Sequence, residues 1–195
     1  MNEPRENRKI IAFTGPYGSG RKTLADMAGS TLGLKEVLSY TTRPARPGEN
    51  DGEDYYFISK EEFAQAEGRG EFLEAAEIFG HRYGIKGEDL ERLLEQNVAV
   101  YVVVNSMGAA LLKRLYPDRV IRLFIYADRE RVRTRLIGRG DPEEAVNSHM
   151  AYYDEEMEYQ GECEHAFENF ESAHTMFALT NVLESYLARN LIDKD

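Results

Sequence analysis

Gly15-Pro16-Tyr17-Gly18-Ser19-Gly20-Arg21-Lys22-Thr23 is the stretch on which the fold turns. It follows the apolar run Lys9-Ile10-Ile11-Ala12-Phe13-Thr14 and opens onto a helical pattern containing Leu24, Met27 and Ala28. Strand, glycine loop and helix in that order make a phosphate-binding loop: glycines let several backbone N–H groups converge on one anion, and the helix N-terminus adds partial positive charge. Gly15, Gly18, Ser19, Gly20, Arg21, Lys22 and Thr23 are the candidate phosphate-binding residues. Such loops carry lysine directly after their last glycine. Here Arg21 holds that place and Lys22 follows one position late, so both are candidate catalytic cations.

Outward from the loop, the runs Ile10–Phe13, Val98–Val104 and Val120–Tyr126 are short, apolar and continuous, as strands buried on both faces require. Helical patterns alternate with them at Gly87–Gln96, Gly108–Leu115 and Asp128–Ile137. This alternation predicts an α/β fold with a parallel sheet covered by helices. Residues 39–87 break the pattern with a Pro/Arg/Gly-rich loop, the aromatic run Tyr55-Tyr56-Phe57-Ile58 and turn-separated Phe-Leu and Ile-Phe segments, which predicts a small β-rich insertion. Asp141 to Glu168 is polar and acidic and reads as an exposed or mobile helix.

The 195 residues suffice for one well-buried core. A net charge of −11 repels nucleic acid and anionic membranes, so a phosphate ligand has to be held by local arginines and backbone N–H groups. The single Cys163 excludes an intramolecular disulfide and fits a reducing compartment. No apolar run reaches membrane-span length and the first residues lack a leader pattern, so a cytoplasmic protein is expected. The four histidines lack ligand-like spacing, and no resident metal site is expected.

Further motifs carry a family resemblance. Ser39-Tyr40-Thr41-Thr42-Arg43-Pro44-Ala45-Arg46-Pro47-Gly48-Glu49, Asp51-Gly52-Glu53-Asp54-Tyr55-Tyr56-Phe57, Phe72-Leu73-Glu74 and Gly80-His81-Arg82-Tyr83-Gly84 resemble the GMP-binding subdomain of guanylate kinases. With Gly108-Ala109 and Arg135-Leu136-Ile137-Gly138-Arg139-Gly140, the resemblance runs in order from about Ile10 to Glu156. It implies a P-loop nucleoside-monophosphate-kinase fold: a three-layer sandwich with a parallel core sheet, an inserted β-rich GMP-binding subdomain and a helical lid. The expected organisation is a single domain, with core at 1–38 and 91–138, the insertion at 39–90, the lid at 139–158 and a C-terminal core segment at 159–195.

By this resemblance Ser39, Arg43, Arg46 and Tyr55 grip the GMP phosphate, and Glu49 and Tyr83 complete that pocket. Two guanidinium forks and two hydroxyls suit a phosphate dianion. Glu74 matches the carboxylate that accepts hydrogen bonds from the guanine edge, while a base-contacting Ser or Thr of the family is replaced by Ile85. Arg135 and Arg139 match arginines that clamp the ATP phosphates, and are candidate catalytic residues.

Departures cluster on the phosphoryl-transfer side. Besides Arg21, Val103 and Asn105 replace two acidic residues, Met107 replaces a glutamine, and His149 stands where the family has an arginine. Asn105 is better suited to binding GMP than to supporting a metal. The Gly-Arg loop also resembles the guanylate-kinase-like modules of membrane-associated scaffold proteins.

The expectation is a GMP-binding protein with weak or absent ATP:GMP phosphotransferase activity, using Mg²⁺ with ATP if active. Alternatives are an active guanylate kinase that tolerates Arg21, and a kinase for another nucleoside monophosphate or phosphorylated small molecule, motivated by Ile85, Val103 and Met107. Expected partners are GMP or a related nucleotide and ATP, with no nucleic acid or membrane. A protein could dock on the Tyr-rich segment at Tyr152, Tyr153 and Tyr159, and the protein would be a monomer or homodimer.

Overall fold

Strand β1 (Lys9–Thr14) lies at the centre of a five-stranded sheet in which every pairing is parallel. The computed structural model describes residues 8–187. The outermost parts of the expected 1–38 and 159–195 segments fall outside that range. The sheet order is β2 (Lys35–Glu36), β7 (Ala99–Val103), β1, β8 (Val120–Tyr126) and β9 (His165–Glu168). Phe13 pairs with Val103 on one side and Leu123 on the other, so β1, β7 and β8 end at one edge of the sheet. Ligand sites of open α/β sheets form outside such carboxyl ends.

Ile10, Ile11, Ala12 and Phe13 are completely buried, which explains their continuous hydrophobicity. Ile11 and Phe13 pack under helices α1 (Arg21–Leu32) and α7 (Ser172–Leu187) with Leu24, Ala28, Leu179 and Leu183. Ile10 and Ala12 face the other side, against Leu90 and Leu94 of α3 (Gly87–Gln96) and Leu112 of α4 (Ser106–Leu115). A third apolar cluster, including Val132, Leu136, Val146 and Met150, joins α5 (Arg129–Gly138) to α6 (Glu143–Glu158).

The insertion forms a second sheet, in the order β4 (Tyr56–Phe57), β3 (Tyr40–Thr41), β6 (His81–Lys86) and β5 (Phe72–Ile78). It also contains a helix the hydrophobic pattern did not reveal, α2 (Lys60–Gly68). Ser59 and Glu62 form a reciprocal capping box at its start, and Ser-x-x-Glu was the available signal.

Two expectations need correction beyond the insertion. The acidic stretch is not simply an exposed helix: α6 buries Val146, Met150 and Tyr153, and the stretch ends as β9, paired with β8. The Tyr-rich docking surface also does not form. Tyr153 donates to the Ala127 carbonyl at 2.6 Å and Tyr159 accepts from Arg122 at 3.1 Å, leaving only Tyr152 of the three exposed. Among the described residues no helix is long and apolar enough to cross a membrane.

Candidate nucleotide site

A cleft of about 600 Å³ opens at the sheet's carboxyl edge, between the phosphate loop, the inserted sheet and α5. On the loop side, Gly15 presses so closely on β8 that a Cβ there would stand 2.0 Å from the Ile125 carbonyl oxygen. The loop lines the cleft with Gly18, Gly20, Arg21, Lys22 and Thr23. Gly15 and Ser19 shape the loop from behind. The Ser19 amide donates to Pro16, and its fully buried hydroxyl has no partner.

The two loop cations separate. Arg21 folds across the loop, its Nη1 donating to the Gly15 carbonyl at 2.5 Å and more weakly to Val104 at 3.3 Å. The Lys22 ammonium, the other candidate catalytic cation, lies 2.7 Å from both Asp26 and Glu36, turned towards β2. Burial lowers its pKa, but the two carboxylates outweigh this and hold it above the usual value. Burial in turn pushes Glu36 up to about 7 against the opposing effect of Lys22.

The opposite wall is built around Glu49. Its two oxygens accept from Arg43 at 2.8 and 2.9 Å, and it also accepts the Arg46 amide at 2.7 Å. Burial raises the Glu49 carboxyl, yet these bonds hold it below the ordinary range. Arg43 is almost fully buried, with its guanidinium carbon 5.5 Å from the Tyr55 ring centroid. Tyr55 meets Tyr83 edge to face at 6.1 Å, and both line the cleft with Ser39, Arg43, Arg46 and Glu49. Glu49 thus holds Arg43 and the Arg46 backbone in place beside the cleft.

Glu74, on β5, reaches the cleft beside the first turn of α4. A Cβ on Gly108 would come within 3.0 Å of Glu74 Oε2, so glycine permits this approach. Burial alone, with no charged partner, pushes the Glu74 carboxyl up to about 7. Asn105 also lines the cleft, but its Oδ1 caps α4 by accepting the Gly108 amide at 2.8 Å, leaving its NH₂ for a ligand.

Arg135 donates to the backbone oxygens of Ser19 and Asn169 at 2.9 and 2.8 Å. Arg139 pairs with Asp141 and lies 4.9 Å from the Tyr17 ring centroid. Both arginines face the cleft. His149 is half-buried rather than exposed, stacked on Tyr17 at 3.7 Å, and burial pushes its pKa down to about 4. Of the three residues expected to make the acceptor pocket apolar, Val103 alone lines it. Ile85 is fully buried in the core beneath, and Met107 is exposed to solvent.

The guanylate kinase family model matches residues 7–186. The chain belongs to the guanylate kinase family. It is 40% identical over 144 residues to the guanylate kinase of Symbiobacterium thermophilum, covering 73% of this chain and 68% of that protein. It is 35% identical over 167 residues to that of Lactococcus lactis, covering 85% and 82% respectively. Among solved structures, guanylate kinase from Anaplasma phagocytophilum superposes with a TM-score of 0.76 at 25% identity, covering 94% of this chain and 88% of that one.

Three site residues of this guanylate kinase family member escaped the sequence reading. Asn169, nearly completely buried, donates through Nδ2 to the Ser19 carbonyl at 2.8 Å and so fixes the phosphate loop from the far end of the chain. Glu156 accepts the Tyr17 amide at 3.2 Å, and burial raises its pKa against the pull of Arg21. Tyr17 itself was visible only as a loop filler. No local pattern marks Asn169. The acidic run around Glu156 hid the one carboxylate that turns inward.

Proposed function

We propose that this protein is an active ATP:GMP phosphotransferase, forming ADP and GDP, in which Arg21 does the work of the loop lysine. The observation that carries this reading is the pairing of clustered acceptor-side residues, Arg43, Arg46, Glu49, Tyr55, Glu74 and Tyr83, with a cation held at the phosphate loop. Arg43, Arg46, Ser39, Tyr55 and Tyr83 would bind the acceptor phosphate, with Glu49 fixing both arginines. Glu74 would accept from the guanine N–H edge, which adenine lacks in that pattern.

The donor triphosphate would lie over the N-terminus of α1, on the N–H groups around Gly20 to Thr23. Mg²⁺ would arrive on ATP and neutralise phosphate charge, with the Thr23 hydroxyl as the side chain placed to meet it. Arg21, Arg135 and Arg139 line the same cleft, where they would stabilise charge on the transferring group. Catalysis of this kind is positioning plus electrostatics and requires no covalent intermediate.

A second reading, GMP binding without transfer, is favoured by one feature. The end of β7 and the turn after it present Val103 and the helix-capping Asn105 instead of carboxylates. Chromatographic assay of ATP and GMP with Mg²⁺ at high protein concentration, alongside calorimetry of GMP binding, separates the two. GDP formation well above the protein-free rate supports the kinase. Bound GMP with no GDP overturns it and leaves the binding role.

A further inference from the structure

Gly108, in the first turn of α4, adjoins two polar side chains that line the cleft. Its amide donates to Asn105 Oδ1 at 2.8 Å, and a Cβ on it would come within 3.0 Å of Glu74 Oε2. A backbone N–H can only donate, so this cap decides which way the Asn105 amide lies: its oxygen is engaged by the helix and its NH₂ is left over. Neither that NH₂ nor the Glu74 carboxyl has a hydrogen-bond partner among the described residues. A free donor and a free acceptor therefore meet at one glycine.

The neighbouring groups add little that could read a base. Ile85, the partner of Glu74 in the register of β5 and β6, is fully buried in the core and carries no hydroxyl or amide. Val103, Ala76 and Ile78 line the cleft with apolar groups. The other carboxylates of the lining are already engaged: Glu49 accepts from Arg43 and from the Arg46 amide, and Asp54 accepts the Asn50 amide at 2.9 Å. Recognition of a base edge in this part of the cleft falls to Glu74 and Asn105.

An acceptor beside a donor complements a lactam, the N1–H next to the C6 carbonyl of a 6-oxopurine: the carboxylate takes the N1 proton and the amide NH₂ donates to O6. Guanine and hypoxanthine share that edge. Adenine inverts it, so that its N6 amine would face the amide NH₂ and its bare N1 the carboxylate, donor against donor and acceptor against acceptor. The 2-amino group that separates guanine from hypoxanthine has no free carboxylate of its own, since Glu74 is engaged with N1. We infer that the acceptor site takes 6-oxopurine nucleoside monophosphates as a class, inosine monophosphate (IMP) as well as GMP, and that Asn105 is the residue that selects the 6-oxo group. The inference rests on the acceptor role proposed above for this side of the cleft.

Calorimetry with GMP, IMP and AMP at about pH 8 tests this without catalysis; Glu74, pushed up to about 7 by burial, is then mostly ionised and acts only as an acceptor. Wild type is expected to prefer GMP over IMP by less than about 10²-fold, and IMP over AMP by more than about tenfold. A GMP preference beyond about 10²-fold overturns the inference, because it requires a dedicated partner for the 2-amino group. AMP bound as tightly as IMP overturns it too. Asn105→Asp keeps the cap on α4 and replaces the NH₂ with an oxygen, so the thermal midpoint should hold. GMP and IMP affinities are expected to fall together by about tenfold or more, with AMP weakened by less than about twofold. Unchanged GMP and IMP affinities, or an equal loss for AMP, show that the amide does not read the base and overturn the inference. Transfer assays with ATP keep the two readings apart. If IMP binds as expected but neither GMP nor IMP is phosphorylated, the kinase reading fails and the selectivity stands; if GDP forms while IMP neither binds nor reacts, the selectivity alone fails.

Discussion

Arg21 Nη1 and the carbonyl oxygen of Gly15 are 2.5 Å apart, a bond that turns a long guanidinium back over the loop that precedes it. The charge of the missing lysine is thereby kept at the phosphate loop, although a planar fork follows a moving phosphoryl group less freely than an ammonium does. Arg21→Met is expected to lower kcat by a factor of about 10² to 10³, the usual cost of removing one transition-state stabiliser. GMP affinity by calorimetry should change less than about twofold, since Arg21 is not part of the acceptor receptor. An equal loss in both would place Arg21 in acceptor binding instead.

Glu49 is the common anchor of both acceptor arginines, so Glu49→Gln acts on two ligands at once. Its loss leaves the nearly buried Arg43 without an anionic partner. A decrease of about tenfold in GMP affinity is expected, with a stability loss of about 1 to 3 kcal/mol by denaturant titration. Unchanged GMP affinity would show that Arg43 and Arg46 are held by their other contacts.

Glu74 gives the site a pH dependence. Its folded pKa, near 7, exceeds the ordinary carboxyl value, so between those two values the folded state binds the proton more strongly. Its contribution to stability therefore falls as pH rises through that window and stays low above it. Guanine recognition should run the other way, because the ionised carboxylate is the better acceptor for N–H donors. KM for GMP is expected to fall from about pH 6 to about pH 8, and Glu74→Gln should flatten the stability profile while weakening discrimination between GMP and AMP. Parallel profiles for wild type and variant would assign the titration to another group.

Lys22 is expected to matter for stability more than for turnover. Lys22→Met strands Asp26 and Glu36 next to Tyr101, whose hydroxyl lies 3.0 Å from Asp26. A fall in thermal midpoint corresponding to about 1 to 3 kcal/mol is expected, with kcat within about threefold of wild type. A large drop in kcat with an unchanged midpoint would mean that the ammonium swings into the site during turnover.

The core sheet was legible because strands buried on both faces must be apolar at every position, as Ile10 to Phe13 are. The acceptor loop was reached through the family resemblance of its motif, whose Arg43, Arg46 and Glu49 lie within seven positions of one another and meet in the structure. What escaped depended on chain ends meeting in space. Lys22 and Arg21 are adjacent in sequence, yet it is Lys22 that Asp26 and Glu36 together draw away from the loop, and Glu36 comes from another element. Asn169 looks like any polar loop residue until β9 carries it to Ser19. His149 reads as a surface histidine until Tyr17 and Phe79 cover it.

The bond from Asn169 to Ser19 spans 150 positions, and Arg135 fastens the same carbonyl from a third element. During synthesis, then, the nucleotide loop leaves the ribosome well before the residues that fasten it. Until β9 docks beside β8, the loop lacks its rear support, so a nascent chain carries the phosphate-binding sequence without its fastened conformation. Nucleotide competence should consequently emerge only once β9 and Asn169 are available, which makes phosphate binding a marker of correct docking of that strand.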